Sequence, residues 1–304
     1  RERQARGRKP YLIIATDSIH GGTGNGYNAR IPQCTGDEKM IAKSYDEIFH
    51  NTKVKQYPQG FCKITTASRK IFKEDGWEMR KDPNREFVPK PQDKNAATRA
   101  DSRRRSKTKV EDIICMNADD FKYFVTLTIS PDKVDSKDPK AILPLLHSFL
   151  NNMRSRHGLK YLLIPEYHKS GAIHFHGLFN DSITVIDSFT RKAKGYSKPL
   201  KIETLKRKGV NIDDCQVVYN LPQWKHGFST ACEIYGDVNG VSAYVTKYIT
   251  KDLSKIFGNF YFAGGNIVRN VPQYLTDTDY GTADFDREIN IPEARLSLKY
   301  LRTG

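Results

Sequence analysis

Residues 161–179, Tyr-Leu-Leu-Ile-Pro-Glu-Tyr-His-Lys-Ser-Gly-Ala-Ile-His-Phe-His-Gly-Leu-Phe, limit the fold of this chain more tightly than any other stretch. Lys169-Ser170-Gly171 reads as a turn between two strands, a three-residue hairpin loop with Gly in the left-handed third position. Side chains alternate along a strand, so His174 and His176 share one face, as do Glu166 and His168. This register pairs His168 with Ala172 and Glu166 with His174, bringing one carboxylate and two imidazoles to one side of the hairpin. A two-residue loop would turn Glu166 to the opposite face. An isolated His-x-His is common without any metal; the paired Glu166 makes this one a candidate ligand set, with His168 as the fallback ligand. His147, His157 and His226 lack paired spacing and read as surface or structural residues.

A second element lies at 244–251. Asn239 reads as the N-cap of a helix on which Val241, Val245, Ile249 and Leu253 form an apolar stripe that packs onto a sheet. Tyr244, Lys247, Tyr248 and Lys251, spaced i, i+3, i+4 and i+7, line a neighbouring exposed flank. The pattern suits two nucleophilic phenols beside phosphate-binding ammonium groups. Taken alone, it equally suits an amphipathic helix whose tyrosines cap the core. A third element, residues 123–131, alternates, is rich in β-branched and aromatic residues, and ends at Pro131 as a strand does.

The strand at 124–129, the His174/His176 pair with Glu166 upstream, and the Tyr244/Tyr248 helix follow the order of the three motifs of rolling-circle replication initiators. The chain resembles these HUH endonucleases, above all plasmid and phage replication-associated proteins related to the filamentous-phage replication nickase. Further similar text stands at 61–66, 217–224, 227–230 and 233–237, so the resemblance spans roughly residues 61–268.

The resemblance implies an α+β HUH fold, a central five-stranded antiparallel sheet with flanking helices, with the tyrosine helix across from the histidine face and DNA threading between. The order of elements gives the same class, with helices on one face of the sheet. Expected segments are 1–60 of unknown role, a basic lead-in at 61–118 packing on the core, the endonuclease core at 119–268, and a tail at 269–304. Residues 182–213 read as a basic insertion, 139–157 as an amphipathic helix, 228–235 as a strand, and 260–265 as a late strand or edge.

The implied activity is metal-dependent nicking and strand transfer on single-stranded or hairpin origin DNA. Glu166, His174 and His176 would hold Mn²⁺ or Mg²⁺, and Tyr244 or Tyr248 would form a 5′-phosphotyrosine. Nearby cations are expected to help a phenol lose its proton, with Lys247 and Lys251 as candidates for that role or for clamping the phosphate. Two tyrosines would alternate between holding and cutting; which attacks first is not written in the sequence. A transposase or relaxase would use the same core chemistry, although relaxases usually present three histidines. A non-catalytic DNA-binding module would need none of these five residues.

Fifty Lys+Arg against 35 Asp+Glu, a net charge of +15 and a pI near 9.5 favour a polyanionic partner. The densest basic run, 99–109, offers Arg103, Arg104, Arg105 and Lys107 to DNA phosphates, or else forms a solvated helix or linker. Five scattered cysteines without CxxC spacing point to reduced thiols and a bacterial cytoplasm. No signal peptide or membrane span is expected, and the missing initiator Met suggests a start inside a longer chain. Residues 11–16 read as a strand, the Gly-rich segment 21–26 as a turn, and 81–92 as a linker. Without a nucleotide-hydrolysis motif, unwinding and synthesis fall to a host helicase and polymerase.

Overall fold

The computed structural model describes residues 45–74, 95–235, 238–251, 255–280, 287–291 and 296–302. The readings at 11–16, 21–26 and 81–92, and Leu253, lie outside the described residues. The chain divides into two compact units, 1–88 with 272–304, and 89–271. This division differs from the expected segments: it parts 61–118 between the units and joins the residues from 272 onward to the first.

The first unit begins with α1 (Tyr45–Ile48), β1 (Phe49–His50), β2 (Thr52–Tyr57), β3 (Phe61–Ala67) and β4 (Phe72–Lys73). The second comprises α2 (Asn95–Met116), β5 (Tyr123–Thr128), α3 (Pro139–His157), β6 (Tyr161–Tyr167), β7 (Ile173–Phe179), β8 (Ile186–Lys192), β9 (Leu200–Lys201), α4 (Ile202–Arg207), β10 (Gln216–Asn220), β11 (Ser229–Glu233), α5 (Val238–Lys251) and β12 (Phe262–Gly264). Then β13 (Gln273–Thr276), β14 (Arg287–Ile291) and β15 (Leu296–Arg302) complete a five-stranded sheet of the first unit in the order β13-β2-β3-β15-β14.

The second unit is α+β, built on an antiparallel sheet of order β12-β6-β7-β5-β11-β10-β8-β9. It has eight strands and not the expected five. The reading of 182–213 as an insertion is corrected, since β8 and β9 extend the sheet there. A register shift opposite Val218/Tyr219 and a positive φ of 55° at Phe189 break the alternation of β8, so no clean period of two marks it as a strand. At the other edge β12 pairs with β6.

Alternation divides β5 cleanly. Tyr123, Val125 and Leu127 join a core with Ile142, Leu146, Phe149, Leu150 and Met153 of α3. That helix starts where Asp138 accepts a hydrogen bond from Lys140 N at 2.9 Å and Pro139 takes the first turn; it stops at Gly158, φ 69°. On the opposite face Leu162, Ile164 and Leu178 pack with Val110, Ile113 and Ile114 of α2 and Val245 and Ile249 of α5. Helices therefore cover both faces, where one was expected, because the strands bear apolar residues at both parities. α5 begins at Val238, which puts Asn239 inside its first turn and not at the cap.

The β6–β7 hairpin takes the expected register, Glu166 opposite His174 and Tyr167 opposite Ile173. His168 N donates to Ala172 O at 2.8 Å, Gly171 N donates to His168 O at 2.8 Å, and Gly171 sits at φ 85°. A Cβ at Gly171 would meet only the flexible Lys137 side chain at 3.6 Å, so the need for glycine is conformational. Gly171→Val should cost roughly 1–2 kcal/mol of stability through the left-handed backbone, read as a lower thermal midpoint.

Candidate active site

Backbone pairing sets side chains in rows across the sheet. One row runs Ile164, His176, Thr126, Thr230, and the next runs Glu166, His174, Thr128. The strand period thus presents the two histidines and two threonines of β5 together.

Glu166 opposes His174, but its carboxylate reaches the diagonal neighbour: Glu166 Oε2 lies 3.0 Å from His176 Nε2. The His174 ring instead stacks on His168, centroids 5.0 Å apart and planes within 10°. Burial first, then the charge of His168, hold His174 below the usual imidazole range, partly offset by Glu166. Low basicity favours the neutral, ligating form. His176 Nδ1 lies 3.1 Å from Thr126 Oγ1, so threonine and glutamate fix its ring from both sides. Among the described residues, no three His, Cys, Asp or Glu side chains already form a metal-holding group. The donors stand as two pairs, Glu166/His176 and His174/His168. Their chemistry, a carboxylate with several imidazoles on one face, fits a divalent cation of the Mn²⁺ type.

The tyrosine helix lies directly on this face. Tyr248 stacks on His176 with centroids 4.3 Å apart and planes 13° apart, and is 7% exposed. Tyr244 is 39% exposed and meets Phe124 edge-on at 5.0 Å. The Tyr248 hydroxyl donates to the Tyr244 hydroxyl at 3.1 Å. The expectation of two phenols on an exposed flank therefore holds for Tyr244 and is corrected for Tyr248. The expected passage for DNA between helix and histidines is also corrected, because ring-on-ring contact fills it.

Charge does not lower the inner phenol. Burial, then its hydrogen bond to Tyr244, pushes Tyr248 well above the ordinary tyrosine range, although Lys247 Nζ sits 5.3 Å from its ring centroid. That lysine is nearer the outer ring, 3.7 Å from the Tyr244 centroid. The side chain of Lys251 lies outside the described ones.

The other candidates fall elsewhere. The basic run is part of α2, with Arg103 and Lys107 half-buried and Arg104 and Arg105 exposed; Arg104 pairs with Asp101 at 3.1 Å. Trp224 is buried, its Nε1–H donating to Thr128 O at 3.0 Å, a core position. His147 and His157 are exposed on α3, and His226 touches Trp224. Cys62, Cys115, Cys215 and Cys232 are thiols outside any disulfide, while Cys34 lies outside the described residues. Among the described residues, no helix is long and apolar enough to cross a membrane. Motif reading missed Thr126, which β5 parity marks once His176 is placed opposite it.

Residues 122–253 match a family model described as a replication-associated protein of the ORF2 type. That segment holds Glu166, His168, His174, His176, Tyr244, Lys247, Tyr248 and Lys251, and leaves out α2 and residues 61–66. The match supports a replication-related function. Compared with curated proteins and with solved structures, the chain matches none.

A phenol that resists ionisation in the fold but titrates near pH 10 when unfolded favours the folded state fully below that pH. The stabilisation is lost progressively as pH rises above about 10. Tyr248→Phe should therefore show a shallower fall in stability than the parent between neutral and strongly alkaline pH, measured by denaturant unfolding across that range.

Proposed function

We propose that the second unit is a metal-dependent endonuclease and strand transferase for single-stranded or hairpin origin DNA, starting rolling-circle replication in the manner of HUH nickases. The observation that carries this reading is the packing of both phenols of α5 against the histidine row, Tyr248 on His176 and Tyr244 at its margin. Neither core packing nor DNA binding requires a carboxylate, imidazoles and paired phenols together at this spot.

Glu166, His174 and His176 would hold the cation, with His168 as the alternative ligand beside His174. A bound Mn²⁺ or Mg²⁺ would supply Lewis acidity toward the scissile phosphate. Thr126 acts as a positioning residue by fixing the His176 ring through Nδ1.

Tyr244 is the initiating nucleophile, being the exposed phenol and the acceptor of the Tyr248 hydrogen bond. A developing Tyr244 oxyanion would keep that donor, and Lys247 brings positive charge to the same ring. In the step, the Tyr244 oxygen bonds to phosphorus and the bond from phosphorus to the 3′ oxygen breaks. The leaving oxygen takes up a proton and remains as a 3′-hydroxyl primer, while the 5′ phosphate stays on the tyrosine. Tyr248 serves the later transfer, when its surroundings open. Arg103, Arg104, Arg105 and Lys107 of α2 would contact phosphates away from the cut. A host helicase and polymerase would act on the nicked product in a bacterial cytoplasm.

Incubated with Mn²⁺ and single strands from its own replicon, the chain should form a denaturation-resistant protein–DNA adduct, abolished by a chelator. Tyr244→Phe should reduce the first-turnover adduct far more than Tyr248→Phe. An undiminished adduct in the double variant would sink the proposal. Thr126→Val should weaken Mn²⁺ binding about 10- to 100-fold, read by calorimetric titration, with Tyr244 and its helix unaltered.

A further inference from the structure

The histidine face continues past the tyrosine helix as open sheet. The row Glu166, His174, Thr128 extends by one more pairing to Phe228, because Thr128 N donates to Phe228 O at 2.8 Å in continuation of the β5–β11 register. Phe228 is 77% exposed. The row of His176 extends through Thr230 to exposed Asn220 and then to Ile186, 55% exposed, across β10 and β8. Two strand spacings separate Phe228 from His174, roughly 10 Å.

A single exposed aromatic needs no explanation by itself. This one is held rigidly while its ring remains bare. Ser130 N donates to His226 O at 2.9 Å on one side, and the β11 ladder holds the other. Between them Gly227 crosses so close to β5 that a Cβ there would lie 2.2 Å from Thr128 O. The chain is therefore drawn onto the end of β5 at a site where only glycine fits, immediately before the exposed ring. Positive charge accompanies the patch: Lys192 is exposed at the end of β8, and its ammonium acts on Cys232 of β11.

We propose that Phe228, with Ile186 and Asn220 beyond it, is a shelf on which unpaired bases beside the scissile phosphate stack. The proposal rests on the reading of the histidine row as a single-strand cleavage site. Tyr248 closes the helix side of that row, so a strand reaches it from the β5–β11 side, over Phe228. The occupant is a run of unpaired nucleotides because a flat apolar ring suits a base face, Asn220 offers a donor and an acceptor to a base edge, and Lys192 suits a phosphate. The surface is continuous with the proposed cleavage site, and the chain carries a net charge of +15.

The test measures equilibrium binding of the full chain to labelled single strands, without added divalent cation so that they remain intact. Phe228→Ala should weaken binding about 5- to 100-fold, with Phe228→Trp restoring it and its indole quenched by DNA. An abasic site in the stacked position should cost the parent the same factor and cost Phe228→Ala almost nothing. Unchanged binding by Phe228→Ala, with an unchanged thermal midpoint, overturns the shelf even if the phosphotyrosine adduct forms. A parent that shows this coupling yet forms no adduct supports the shelf and removes the cleavage reading alone.

Discussion

The hydrogen bond from His168 N to Ala172 O closes a three-residue loop, and the face on which the chemistry assembles follows from the register it sets. With that loop, Glu166 falls opposite His174, and both share a side with His176, Thr126 and Thr128. One residue more or less in the loop would send the carboxylate into the core shared with α3. A backbone preference at Gly171 thus controls the composition of a site several residues away.

Within that site, burial and reactivity oppose one another. Tyr248 belongs to the same apolar cluster as Val245, Ile249 and Leu178, and its ring shields His176 from water. The packing that orients the imidazole also disfavours a charged phenol at that position. Tyr244, one helical turn earlier, stands at the edge of the same aromatic group with Lys247 over its ring. Two residues of one chemical type thereby acquire different roles from depth alone.

Much of the second unit was legible. The amphipathic period of α3, the alternation of β5, the hairpin turn and the apolar stripe of α5 each rest on local chemistry that sequence displays directly. What escaped depends on neighbours distant in sequence. Helical spacing put Tyr244 and Tyr248 on one flank, but the degree of covering by Phe124 and His176 is a tertiary matter. Register predicted Glu166 against His174; with His174 stacked on His168, the carboxylate turns to His176 instead. The bulge in β8 hid the extension of the sheet at that edge from any count based on period two. Phe228 was visible only as part of a similar stretch, since its exposure and its alignment with His174 emerge from the pairing of β5 with β11.

The first unit has a different connectivity, and this bears on its assembly. β3 lies between β2, its immediate neighbour in the chain, and β15, more than two hundred residues later. During synthesis from the N-terminus, β2 and β3 emerge as a bare hairpin with an unsatisfied edge, a form that is marginal in water. The second unit, contiguous in sequence, can close its core while that hairpin still awaits its partners. Maturation of the whole polypeptide is thus ordered, with the catalytic candidate completed first and the sheet that unites the two ends of the chain sealed last.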